Sequence, residues 1–87
     1  MQKKEKVFNM KSKDDFKNNV KIIAHHIVED SPYIRFGQAV FNYVDEKYKV
    51  ARTTQFEYGI DCFYDDSKVD DFLNKCYDLI KKDNKDD

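Results

Sequence analysis

Ser67-Lys68-Val69-Asp70-Asp71-Phe72-Leu73-Asn74-Lys75-Cys76-Tyr77-Asp78-Leu79-Ile80-Lys81-Lys82 is the stretch that decides the fold class of this chain. Val69, Phe72, Leu73, Cys76, Leu79 and Ile80 recur at helical spacing and form one apolar stripe. Ser67 stands where a hydroxyl caps a helix N-terminus, and Asp70 and Asp71 fill the positive first turn. Lys81 and Lys82 suit the negative end of the helix. The acidic residues that follow, 83–87, are expected to fray as a tail.

The same grammar appears twice upstream. Ser12 precedes Asp14 and Asp15, and Phe16, Val20, Ile23 and Ile27 follow as a stripe widened by Ile22, Ala24 and Val28. Ser31-Pro32 pairs a capping serine with a proline suited to the first helical position, so it predicts a second helix start. Ile34, Gly37, Phe41, Val44 and Tyr48 make that stripe, with Phe36 and Val40 beside it. A glycine inside a helix costs about 1 kcal/mol relative to alanine. Gly37 therefore marks either a close backbone approach or a distorted first turn.

These three segments predict a mainly α, compact three-helix domain over residues 12–82, preceded by a basic arm at 1–11. Residues 49–66 are expected to be irregular and aromatic-rich, carrying Phe56, Tyr58, Ile60, Phe63 and Tyr64 into the core. Arg52, Thr53, Thr54, Phe56 and Tyr58 are also strand-compatible, which leaves a short β-hairpin with Val7-Phe8 as an alternative. Only two glycines and one proline argue against an all-β fold. With 87 residues the core is thin, so the thirteen Phe and Tyr rings must supply much of it. A thin core also makes a homodimer attractive, because pairing buries more apolar surface.

The net charge of −1 gives no global drive toward nucleic acid. Its distribution is uneven: residues 1–21 hold seven Lys against three acids, and residues 57–87 hold ten acids against five Lys. No apolar run approaches membrane-spanning length, and no secretory leader is visible, so no membrane partner and a cytoplasmic location are expected. Cys62 and Cys76 sit among apolar residues, where a free thiol packs as a small hydrophobe. His25 and His26 are adjacent, so their side chains diverge by about 100° on a helix and do not share a metal.

No catalytic centre, metal site or cofactor is therefore expected. Five acids, Asp61, Asp65, Asp66, Asp70 and Asp71, form the densest charged cluster, but they lack the ligand spacing and central glycine of a calcium loop. Helix capping explains part of the cluster, and presentation to a basic partner is the functional alternative. Arg35 and Gln38 flank Phe36-Gly37 in an apolar stretch. Arg35 is expected to latch onto carbonyls or carboxylates across the fold, with Asp61 or Asp65 as partners. As a partner-binding set the candidates are Arg35, Gln38, Asp61, Asp65, Asp66, Asp70 and Asp71.

The run Arg35-Phe36-Gly37-Gln38-Ala39-Val40-Phe41-Asn42, followed by Asp61-Cys62-Phe63-Tyr64-Asp65-Asp66 and the amphipathic segment from Ser67 to Leu73, resembles small uncharacterised proteins of bacteriophages and mobile elements. The likeness covers roughly residues 31–75. It implies a phage or prophage setting in a bacterial cytoplasm and carries over no activity. In that setting the expected function is a non-enzymatic protein-interaction module that binds a host or self protein. An anti-CRISPR-type inhibitor of host defence is one specific form. The alternative is a small nucleic-acid-binding regulator using Lys3, Lys4, Lys6, Lys11 and Lys13.

Overall fold

The computed structural model describes the backbone of residues 12–84 and side chains as far as residue 82. Four α-helices, not three, follow one another: α1 (Lys13–Asp30), α2 (Phe36–Tyr48), α3 (Ala51–Glu57) and α4 (Val69–Asn84), the last entered through a 3₁₀ turn at Asp66–Lys68. Among the described residues there is no strand. The basic arm, and with it the hairpin partner Val7-Phe8, lies outside the described residues.

α1 starts as its sequence dictates. Ser12 is extended and its Oγ accepts the Asp15 N–H at 3.2 Å. Phe16, Val20 and Ala24 recur every four residues and are fully buried. Burying the Phe16 ring alone contributes about 1.5–3 kcal/mol. It packs against Tyr48 at 5.6 Å and Tyr77 at 5.7 Å between ring centroids. Ile22 stays 56% exposed, because it points away from the stripe that Phe16 sets.

Ser31-Pro32 does not begin a helix. The Ile34 N–H donates to the Ser31 carbonyl at 3.0 Å, closing a turn with proline at its second position, where its fixed φ fits. Arg35 is then extended, and α2 begins one residue later. α2 is the centre of the bundle: α1, α3, α4 and the 3₁₀ turn all pack on it. Ala39, Val40 and Val44 are its fully buried residues. It ends at Lys49, whose left-handed backbone (φ 65°) lets its N–H reach the Val44 and Asp45 carbonyls.

The largest departure is α3, which occupies part of the segment expected to be irregular. Threonines suggest a strand there, yet Thr54 satisfies its hydroxyl inside a helix. Its Oγ1 donates to the Val50 carbonyl at 3.0 Å and lies 3.4 Å from the Cys76 Sγ. Ala51 and Thr54, three apart, form the buried face of this two-turn helix. Gly59 (φ 70°) ends it, and the Ile60 N–H returns to the Thr54 carbonyl at 3.2 Å.

The uneven charge folds back on itself. Lys13 meets Asp78 at 3.3 Å, while Lys17 and Lys21 meet Asp70 at 3.6 and 2.6 Å. The pairing runs α1 antiparallel to α4. Three lysines of the first helix are thereby set against two acids of the last.

Candidate functional site

Most of the residues singled out by the sequence converge on one junction, where the loop after α3 crosses the first turn of α2. Arg35 provides no side-chain cap to α2. Its guanidinium instead donates to the Phe63 carbonyl, and its Nε lies 3.9 Å from Asp66 Oδ1. The latch is real, but its partners are Phe63 and Asp66 and not Asp61 or Asp65. Asp66 supplies the missing cap, since its Oδ1 accepts the Gly37 N–H at 2.9 Å. A carboxylate at this position also meets the positive end of the helix dipole.

Gly37 is required by the same contact. A Cβ there would stand 2.1 Å from the Cys62 carbonyl oxygen and 2.6 Å from Asp66 Oδ1. The loop backbone thus lies directly on the helix. Cys62 closes the clamp by donating its thiol to the Gly37 carbonyl at 3.3 Å.

Three of the remaining acids are also engaged within the fold. Asp61 Oδ1 accepts the Phe63 N–H at 2.9 Å. Asp65 Oδ1 accepts the Ser67 hydroxyl at 2.6 Å and the Ser67 N–H at 3.0 Å, and these bonds hold its carboxyl below the usual range. The hydrogen bond from Lys21, with its charge, lowers Asp70. Asp71 is exposed on the first turn of α4, and Gln38 is half-buried beside Gly37. Four members of the set meet at the junction, and Asp70 ties α4 to α1.

The buried thiols have no nucleophilic environment. Desolvation pushes Cys62 well above its ordinary value and Cys76 up to about 12. Both therefore stay protonated at neutral pH. His25 stacks on Phe36 at 4.6 Å, and His26 Nδ1 lies 3.7 Å from Glu29. Among the described residues no three His, Cys, Asp or Glu side chains group as a metal site. Also among them, no helix is long and apolar enough to cross a membrane.

A different site adjoins this junction, sharing Asp61 and Phe63 with it, and reading the sequence missed it. An open groove of about 510 Å³ runs between α3 and the loop. Phe41 and Phe63, edge to face at 5.3 Å, form its floor. Phe56 and Tyr64, expected in the core, instead stand at its rim, 77% and 73% exposed. Arg52, Gln55 and Asp61 are its polar lining. The Arg52 Nε lies 3.7 Å from Asp45, with three quarters of the side chain exposed. The available signal was helical phase. Once Ala51 and Thr54 face the core, Phe56 is about 200° from Thr54 and must face out. That signal is invisible while the segment reads as irregular.

No family model, curated protein sequence or solved structure matches this chain.

Proposed function

We propose that the chain is a small non-enzymatic protein-interaction module and that the α3 groove is its contact face. The observation carrying this reading is the exposure of Phe56 and Tyr64 above a floor of Phe41 and Phe63. Aromatic rings flanked by an arginine are the composition that dominates binding energy at protein interfaces. Two large exposed rings beside one apolar groove differ from scattered surface hydrophobes, which need no explanation. The resemblance to phage and mobile-element proteins supplies the setting: an accessory protein in a bacterial cytoplasm that binds a host or self protein. Inhibition of a host defence nuclease, as by an anti-CRISPR protein, is one specific form.

The nucleic-acid alternative has less support. Lys13, Lys17 and Lys21 are each within 4 Å of an acid of α4, which lowers the positive potential of α1 toward phosphate.

Affinity capture from a bacterial lysate, with and without nuclease treatment, tests the reading. Capture of a defined protein that survives nuclease and is lost in Phe56→Glu is the expected result. Capture that disappears with nuclease, or that is unchanged in Phe56→Glu, overturns it.

A further inference from the structure

We infer that the α3 groove takes a second copy of this chain, pairing two grooves across a two-fold axis. The inference rests on the reading of that groove as a contact face, and it names the occupant.

The argument starts from the signs of the charges. The groove carries one cation, Arg52, and one anion, Asp61, and among the described residues no ion pair joins them. A face built for a charged foreign partner carries an excess of one sign. A face that fits itself carries both, because a two-fold axis sets residue i against j of the partner and j against i. Two copies meeting ring to ring then place each Arg52 against the other copy's Asp61. Asp61 is able to accept, since the Phe63 N–H uses only its Oδ1. Arg52 is able to donate, since its contact with Asp45, from Nε at 3.7 Å, is longer than a hydrogen bond.

Area supports a modest association. At 77% and 73% exposure, Phe56 and Tyr64 offer about 300 Å² of ring surface together. A standard interface buries roughly 800 Å² per partner. The rings thus form the apolar centre, and Arg52, Gln55 and Asp61 form a polar rim around it. Such a pair is expected to associate reversibly.

Sedimentation equilibrium of the full chain, from low micromolar to millimolar concentration, tests the inference. A reversible monomer–dimer equilibrium is expected for the wild type. Arg52→Asp and Asp61→Arg should each weaken it by about tenfold or more, and the double reversal should recover most of the loss. Circular dichroism of each variant checks the fold, and Phe56→Glu is a variant that leaves the Asp61 bond to Phe63 untouched. Loss of the dimer in Phe56→Glu supports the inference. A wild type that stays monomeric throughout overturns it, as does a dimer unaffected by Phe56→Glu. If the wild type is monomeric but Phe56→Glu still abolishes lysate capture, the self-pairing fails and the groove remains a contact face for another protein. If neither measurement responds, both readings fail.

Discussion

The junction at Gly37 and the groove at Phe56 both abut the loop after α3 and differ in how far their chemistry is already used. At the junction nearly every polar group has a partner in the chain: Asp66 on Gly37, Arg35 on Phe63, Cys62 on Gly37, Asp65 on Ser67. At the groove, two rings stand in water and Arg52 is loosely paired. A cluster of charged residues in sequence thus makes its contacts within the fold, and two rings of an inconspicuous run of aromatics, Phe56 and Tyr64, are surface. Dense charge alone does not separate the two. What separates them is whether the groups are satisfied internally.

Substitutions sharpen this contrast, beginning with the largest expected effect. Gly37→Ala drives a methyl into the Cys62 backbone, which has no flexible side chain to yield, and should cost about 3 kcal/mol in denaturant unfolding. A loss of under about 1 kcal/mol would show that the loop retreats easily, contrary to a tight clamp. Asp66→Ala removes the cap on α2 and should cost about 1–2 kcal/mol, read from the shift in urea midpoint at unchanged slope. Lys49→Gly, where α2 hands over to α3, should gain about 0.5–1 kcal/mol by relieving a left-handed lysine.

The acid limb gives a further comparison. Asp65 and Asp70 have folded pKa values below their ordinary 3.8. A depressed carboxylate contributes stability that is present above the ordinary value. That contribution is lost as the pH falls from about 3.8 through the lowered folded value. Asp70→Asn should therefore flatten the stability profile in that acid window, with the difference from wild type shrinking in high salt. Phe56→Ser should do least to the fold, within about 0.5 kcal/mol, while abolishing association. A large loss of stability there would mean the ring belongs to the core after all.

Much of the scaffold is legible without coordinates. Ser12 caps α1 and the 69–80 stripe is the buried face of α4, because capping and periodicity are local. Gly37 is legible as either a close approach or a distorted first turn, and the Cys62 carbonyl decides for the first. Two features are not legible, for different reasons. Ser31-Pro32 fits a turn and a helix start equally well, and the choice falls to Arg35, which extends to reach a loop 28 residues on. α3 opposes the strand preference of its threonines, and tertiary packing of Ala51 and Thr54 against α4 overrides it. The groove was hidden by the second error, since its rim is defined by the phase of that helix.

The clamp on Gly37 also sets an order of events. α2 begins at residue 36, but the carboxylate that caps it belongs to residue 66. On a ribosome the first turn of α2 therefore emerges well before its cap exists. Until the 61–66 loop has followed and docked, water must satisfy the amide that Asp66 later caps. Capping of the central helix thereby depends on a residue 29 positions further along the chain.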